Sequence, residues 1–181
     1  MTTRRDLLAG GGTALALVGA GAAASLSGWL SSVPLVGGPP EVREETGPAP
    51  SRLQPANSTL YADSMHATLV VGDGEDRDEQ VWVWNETGGS RAVAIEIAGS
   101  GDGEPWFRES YDLAADANLA VDLREERDYA IRVRVGDRSE TVEYPKSWFD
   151  CNATATDMVI RDGKFDVASV RTDQGCGGGL W

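Results

Sequence analysis

Histidine, cysteine and carboxylate side chains carry most enzyme and metal chemistry, and this sequence has few of the first two. His66 is the only histidine, and Cys151 and Cys176 are the only cysteines. A blue-copper centre needs two histidines and a cysteine, and a Ser-His-Asp triad would have to use His66. Residues 98–101 (Ala-Gly-Ser-Gly) fall short of a nucleophile elbow. We therefore predict a non-catalytic protein without a cofactor, with His66 at a strand edge.

A run of carboxylates at residues 73–79 is the one candidate metal site. Its oxygens, of the kind that calcium prefers, would come from Asp73, Glu75, Asp76 and Asp78. The glycine and the carboxylates stand at the wrong offsets for an EF-hand loop. The chain has 29 acidic and 16 basic residues, so such a cluster is expected as solvated surface. We predict no metal, and keep this loop as the calcium alternative.

The net charge of −13 also bears on partners and environment. A negative charge repels phosphate backbones, which argues against nucleic acid as a partner. Lys146 and Lys164 are the only lysines. Acid-rich, lysine-poor surfaces resemble those of extreme halophiles, where salt screens the self-repulsion. An acidic interaction surface in ordinary salt is the alternative.

The two cysteines lie at matching ends of a predicted β-hairpin. Asp162-Gly163 is a favoured two-residue turn. The same register puts Cys151 opposite Gln174, two residues from Cys176, where a small bulge would bring both sulfurs within bridging range. In an exported chain such a pair is typically a structural disulfide, so we predict a Cys151–Cys176 bridge. The residue pairs that the register predicts are Arg161–Lys164, Ile160–Phe165 and Met158–Val167.

Three Asn-x-Ser/Thr sequons are candidate glycosylation sites in an exported chain: Asn57, Asn85 and Asn152. Asn85 stands at a predicted strand end before two glycines, which favours access. Asn152 adjoins Cys151, which predicts hindrance.

Tryptophan offers a further candidate surface. Trp82 and Trp84 share one face of a predicted strand, and Trp106 and Trp148 are candidates to lie nearby. An exposed group of indoles could stack on sugars or bind proteins. In a small sandwich indoles more often fill the space between sheets, which is the interpretation that we prefer. Because the intervening Val81 and Val83 face the other way, both sides of this strand are apolar, and a further segment or a partner is expected to cover one of them.

The first thirty residues have the pattern of an export signal. Arg4 and Arg5 precede an uncharged, Ala/Gly-rich run from Leu7 to Leu30, which is typical of a twin-arginine (Tat) signal for folded proteins. Residues 1–30 are therefore predicted to be a twin-arginine signal peptide or an N-terminal anchor, with the Tat export machinery as a partner. Small residues at 20–24 favour cleavage, whereas the length of the run also suffices to span a bilayer. In either case, only this segment would contact the membrane.

Behind the signal, composition divides the chain into a linker and a domain. Six of the eight prolines fall between Pro34 and Pro55, which predicts an extended Pro/Glu-rich linker over residues 31–57. From residue 58 to 181 the hydrophobic period is two, with turn signals at short intervals, which is typical of an all-β sandwich. The predicted strands cover residues 67–71, 81–84, 93–97, 106–113, 119–123, 129–135, 141–144, 157–161 and 165–171.

This pattern resembles a family of small exported immunoglobulin-like (Ig-like) domains of haloarchaea. The resemblance is carried by the strands between Val81 and Tyr144, and by residues 147–152 (Ser-Trp-Phe-Asp-Cys-Asn), closed by Gly175-Cys176. It implies an Ig-like antiparallel β-sandwich at the cell surface. It transfers no active residue, and the Cys–Trp–Cys spacing of antibody domains is missing.

Together these features predict a non-catalytic cell-surface or secreted domain with a structural or adhesive role in a halophile, with cell-surface proteins or glycans as partners. The alternative is a secreted module that binds calcium or carbohydrate.

Overall fold

The computed structural model describes residues 38–46, 64–74 and 79–173, and it contains β-strands and a short 3₁₀ helix at Lys146–Trp148. Every strand that the period-two pattern predicts is present, most of them a few residues longer. The strands are β1 Val42–Glu45, β2 Met65–Val71, β3 Glu79–Asn85, β4 Arg91–Gly99, β5 Phe107–Leu113, β6 Asn118–Leu123, β7 Tyr129–Val135, β8 Arg138–Tyr144, β9 Thr154–Arg161 and β10 Lys164–Arg171.

The strands form two sheets that pack on each other. One has six strands in the order β1-β2-β6-β3-β9-β10, and the other has four in the order β5-β4-β7-β8. The main apolar core draws from both, because it contains Val81 and Val83 of β3 as well as Ile95 of β4 and Ile131 of β7. The predicted all-β, two-sheet architecture is confirmed.

The antiparallel arrangement that we predicted holds for the four-stranded sheet only. In the six-stranded sheet β2 runs parallel to β6, and β3 runs parallel to β9. Hairpin turn signals identify only strands that follow each other closely along the chain. The parallel neighbours are separated by other strands, so alternation along each strand does not encode their direction.

The predicted linker is wrong over part of its length. Val42–Glu45 forms an antiparallel edge strand, with Val42 opposite Val71 and Glu45 opposite Thr68. Charged residues and flanking prolines are tolerated at a sheet edge, because one side of the strand needs no ladder bonds. The rest of the predicted linker, apart from residues 38–46, and the whole predicted signal lie outside the described residues.

The register predicted for the last hairpin is confirmed. Strand β9 pairs with β10 through Arg161–Lys164, Ile160–Phe165 and Met158–Val167. The Thr172 amide then donates to the Ala153 carbonyl at 3.0 Å, which continues the same register past the strands. Val167 nevertheless stays 44% exposed, because β10 is an edge strand.

Candidate functional site

Three chain connections meet at one end of the sandwich: the β3–β4 loop (86–90), the β7–β8 turn (136–137) and the β9–β10 turn (162–163). They border a groove of about 260 Å³ whose apolar lining is Val135, Ile160 and Phe165. Both two-residue turns contain a glycine with positive φ, 62° at Gly136 and 91° at Gly163. Tight turns of this kind keep the rim of the groove short and fixed.

The lining of the groove is rich in cations for so acidic a chain. Its basic members are Arg91, Arg138, Arg161 and Lys164. Two of them are engaged at the rim: Arg161 lies 2.9 Å from both Glu86 and Asp166, and Lys164 lies 2.6 Å from Asp166. The hydrogen bond from Lys164, followed by the nearby positive charges, holds the pKa of Asp166 below its ordinary value.

The other two cations retain donors for a ligand. Arg91 makes a long contact of 3.4 Å to the exposed Asp162. Arg138 is exposed and makes no hydrogen bond or ion pair with any residue that the structure describes. Guanidinium groups beside an apolar floor suit a partner that presents an anionic group next to an apolar one.

Asn85, the last residue of β3, holds the β3–β4 loop in place. It is fully buried, and its Nδ2 donates to the carbonyl oxygens of Gly89 (2.9 Å), Leu113 (3.0 Å) and Ala114 (2.8 Å). Its Oδ1 accepts the hydroxyl of Thr87 at 2.7 Å. One amide thus fastens the loop to the β5–β6 connection, and Thr87 itself lines the groove.

This geometry bears on the predicted glycosylation sites. We expected Asn85 to be accessible, and that expectation is wrong, because its amide nitrogen is buried and saturated with acceptors. Asn152 is partly exposed, next to the exposed Cys151. Asn57 lies outside the described residues, as do the signal residues Arg4 and Arg5.

Cys176 also lies outside the described residues, so the Cys151–Cys176 disulfide stays a prediction. The hairpin register that motivated it runs as far as Ala153 and Thr172.

The calcium candidate is described only at Asp73, since Glu75, Asp76 and Asp78 lie outside the described ranges. Asp73 is exposed and forms an ion pair with Arg43 of β1. Among the residues that the structure describes, no three carboxylate, histidine or cysteine side chains are grouped in a way that could hold a metal ion.

The four tryptophans that the structure describes divide between the two faces of the six-stranded sheet. Trp106 and Trp148 pack against the main core, as predicted. Trp82 and Trp84 do not fill the space between the sheets, because Val81 and Val83 take the inward positions and the alternation of β3 turns both indoles outward.

On that outer side the two indoles form a second apolar cluster with Ala120, Ala155 and Val159. Trp82 is 6% exposed and Trp84 1%. Neither therefore offers an open platform for stacking on a sugar.

His66 is exposed and is the second residue of β2, a strand that lies between β1 and β6. Its ring meets Tyr111 edge-on, with the ring centroids 5.8 Å apart.

No helix within residues 38–46, 64–74 and 79–173 is long and apolar enough to cross a membrane. No protein-family model, no curated protein and no solved structure matches this chain.

Neither the end groove nor the role of Asn85 was predicted from the sequence. The turn glycines Gly136 and Gly163 were visible in the sequence. What the sequence did not contain was the parallel pairing of β9 with β3, which brings the β9–β10 turn to the same end as the other two connections.

Proposed function

We propose that this protein is exported in the folded state through the twin-arginine route and works outside the cell, or at its surface, as a non-catalytic Ig-like binding domain. Arg4 and Arg5 would direct its export, and the linker would separate the domain from the membrane or the signal. A Cys151–Cys176 disulfide would close its last hairpin. The acidic composition suits a halophile.

The strand pairing supports the Ig-like part of this proposal. In an Ig fold, strand B pairs with E in one sheet, and C pairs with F and F with G in the other. The corresponding antiparallel pairs here are β3–β6, β4–β7 and β7–β8. The chain departs from that fold at the flanks of the six-stranded sheet, where β2 lies parallel to β6 and β9 lies parallel to β3.

A local contact adds to this support. Tyr129, the first residue of β7, donates its hydroxyl to the carbonyl oxygen of Glu125 at 2.8 Å. A tyrosine at the start of strand F that bonds back to the preceding corner is a hallmark of Ig domains, the tyrosine corner.

The observation that carries the binding function is the end groove. In the Ig correspondence, the β3–β4 loop is the B–C loop and the β7–β8 turn is the F–G loop, which lie at the recognition end of variable domains. Here a third connection joins them, around an apolar floor with available guanidinium donors on Arg91 and Arg138. Loops on a rigid scaffold are where proteins place recognition.

Export is tested by expressing the full chain in a halophilic host beside an Arg4→Lys/Arg5→Lys variant. We expect the wild type in the medium or on the envelope and the variant inside the cell. Intact mass distinguishes a cleaved signal from a retained anchor. Export of the double-lysine variant at the wild-type level would contradict the twin-arginine route.

Binding is tested separately with the purified exported protein and cell envelopes of the same host. We expect saturable binding that weakens about tenfold or more in Arg91→Gln/Arg138→Gln, since hydrogen bonds from charged groups contribute about 1.5–3 kcal/mol each. Arg43→Gln/Lys146→Gln is the control with the same charge change. If both double variants bind alike, the groove is not the recognition site.

A further inference from the structure

One edge of the six-stranded sheet is open to a further strand. β10 pairs with β9 on one side, and no strand that the structure describes pairs with it on the other. Its residues 167–170 (Val-Ala-Ser-Val) are all exposed. Val167 and Val170, at 44% and 42%, are the only large hydrophobic side chains that are exposed within the described ranges. An exposed apolar edge strand is a template for pairing with another strand.

The other three sheet edges carry charges in the places where natural proteins use them to prevent such pairing. β1 has four residues, of which three are charged. β5 and β8 each have three charged residues among seven, and neither has an uncharged run longer than two residues. β10 also has three charged residues, but all of them lie outside residues 167–170. β10 is therefore the edge that is least protected against pairing.

The charged side chains of β10 are already paired within the chain. Lys164 lies 2.6 Å from Asp166, which also lies 2.9 Å from Arg161 of β9. Arg171 lies 2.7 Å from Asp150. None of the three charged residues of this edge thus needs a counter-ion from another molecule. The uncharged centre of the strand, rather than an ionic contact, is what it offers to a partner.

Alternation along β10 decides which backbone groups are free at this edge. The Thr172 amide donates to the carbonyl of Ala153. In an antiparallel ladder the N–H and C=O groups of every second residue point to the same neighbouring strand. The even-numbered residues of β10 therefore bond to β9, and the odd-numbered residues direct their N–H and C=O groups to the open edge. These are Phe165, Val167, Ser169 and Arg171.

A second copy of β10 matches this edge in one antiparallel register. A two-fold axis perpendicular to the sheet keeps the faces of both strands, so odd-numbered residues must lie opposite odd-numbered ones. An axis at Ala168 pairs residues 165–171 of both copies and puts no like charges opposite or diagonal to each other. An axis at Val167 would make the two Asp166 side chains diagonal neighbours, and an axis at Ser169 would shorten the overlap.

We propose that this protein forms a two-fold symmetric dimer through β10, with Ala168 of one copy opposite Ala168 of the other and the two six-stranded sheets joined into one. Val167 then lies diagonally across from Val167 of the second copy, and both lose contact with water. Arg171 lies opposite Phe165 of the second copy, which places a cation beside an aromatic ring. The same four uncharged residues supply both strands, so the edge is complementary to itself.

The dimer also fixes the relation between the two end grooves. Because the paired strands run in opposite directions, the β9–β10 turns of the two copies, and with them the grooves, lie at opposite ends of the joined strands. The dimer itself does not depend on what the grooves bind, and the experiments that follow use no groove ligand.

Cross-linking of the purified exported protein tests the register. Ala168 directs its backbone bonds to β9, so two opposed Ala168 residues form a non-hydrogen-bonded pair with Cα atoms about 4.5 Å apart, which suits a disulfide. We expect Ala168→Cys to form a covalent dimer under mild oxidation. Val170→Cys is the matched control, since two residues at position 170 would be four positions apart, about 13 Å. Peptide mass spectrometry identifies the link between the introduced thiols.

Sedimentation velocity tests the dimer without a cross-link, in salt of at least about 1 M, where the Debye length is about 3 Å and repulsion between copies is screened. We expect a dimer whose fraction rises with protein concentration. Val167→Lys should weaken it about tenfold or more, because each dimer contains the change twice and an edge lysine opposes pairing. Ser139→Lys, at an exposed position of β8, makes the same charge change and should stay within about twofold of the wild type.

Three outcomes would overturn the proposal: a wild type that is monomeric at all concentrations, equal weakening by the two lysine variants, or equal cross-linking of Ala168→Cys and Val170→Cys. A strand of some other protein would then be the occupant left for this edge. Near-ultraviolet circular dichroism checks that each variant is folded. If Val167→Lys unfolds, the two cysteine variants decide the matter, since both change exposed side chains of an edge strand.

Discussion

The indole Nε1 of Trp84 in β3 donates a hydrogen bond of 3.0 Å to Oδ1 of Asp157 in the adjacent parallel strand β9. Both side chains are buried on the outer face of the six-stranded sheet. Trp82 lies against Trp84 in a stacked geometry, 5.8 Å and 19° between the rings, but its own buried Nε1 has no partner among the described residues. The two indoles of this cluster thus differ in whether the N–H donates a hydrogen bond.

That difference predicts unequal costs for the same substitution. Trp84→Phe should lower the free energy of unfolding by about 1–2 kcal/mol more than Trp82→Phe, because only the first substitution removes a hydrogen bond to a buried carboxylate. Chemical denaturation of both variants measures the difference. Equal losses would mean that the Trp84–Asp157 bond contributes nothing beyond packing.

Buried tyrosines make the fold sensitive to alkali. Burial is the main cause that raises the pKa of Tyr111, Tyr129 and Tyr144 far above the ordinary value of 10.0. The folded state therefore keeps these phenols neutral while the unfolded chain loses their protons above about pH 10. Their contribution to stability is complete below that pH and is lost as the pH rises from there toward the raised values.

The corresponding measurement is an ultraviolet titration of tyrosinate. We expect these three phenols to ionise together with an abrupt loss of tertiary structure, whereas the urea-unfolded protein titrates smoothly near pH 10. A smooth titration of all tyrosines in the folded protein near pH 10 would contradict their burial.

Local pattern predicted much of this fold, because alternation and turn chemistry act over a few residues. The β9–β10 register followed from Asp162-Gly163 alone. The choice of neighbouring strands could not be predicted, because nothing in the local sequence indicates that β9 pairs with β3. The sequence therefore predicted neither the outward position of Trp82 and Trp84 nor the end groove.

The candidate binding residues show the same division. Val167 and Val170 were visible as apolar residues of a predicted strand, but only the strand order places that strand at a sheet edge. Asn85 was predicted to be accessible because it stands at a strand end before two glycines. Two of the three carbonyl groups that its amide binds belong to residues 113 and 114, which the local sequence does not bring near it.

The β9–β10 turn should be intolerant of a side chain. Gly163 has φ of 91°, a conformation that costs an L-residue about 1–2 kcal/mol. Gly163→Ala should therefore destabilise the protein by about that amount. Gly88→Ala is the matched control, since Gly88 has no positive φ and no neighbouring atom within 4 Å of an added Cβ. Urea denaturation midpoints compare the two, and a neutral Gly163→Ala would contradict the turn geometry.

The predicted disulfide can be tested by thiol counting. Wild-type protein unfolded without reductant should show no reactive thiol, whereas Cys151→Ser should show one. Loss of the bridge should cost about 3 kcal/mol by relaxing the unfolded chain, equally in Cys151→Ser and Cys176→Ser. Two reactive thiols in the wild type would refute the bridge.

Asn85 combines a sequon with a structural role, and the two are incompatible in the folded domain. A glycan on Nδ2 would replace donors to Gly89, Leu113 and Ala114, and the site is 0% exposed. We therefore expect peptide mass spectrometry of the exported protein to find Asn85 unmodified. A glycan there would mean that modification precedes folding, which would also count against export in the folded state.

The same hydrogen bonds predict a large effect of a small change. Asn85→Asp keeps the size of the side chain but turns the donor into an oxygen that faces three carbonyl groups, so the protein should lose about 3 kcal/mol of stability or more. Asn152→Asp, in a partly exposed sequon, should cost less than about 1 kcal/mol. Because Thr87 of the same loop lines the end groove, Asn85→Asp should also weaken envelope binding under conditions where the variant is still folded. If binding stays intact while stability falls, the β3–β4 loop is a structural element only, and recognition at this end depends on the two glycine turns.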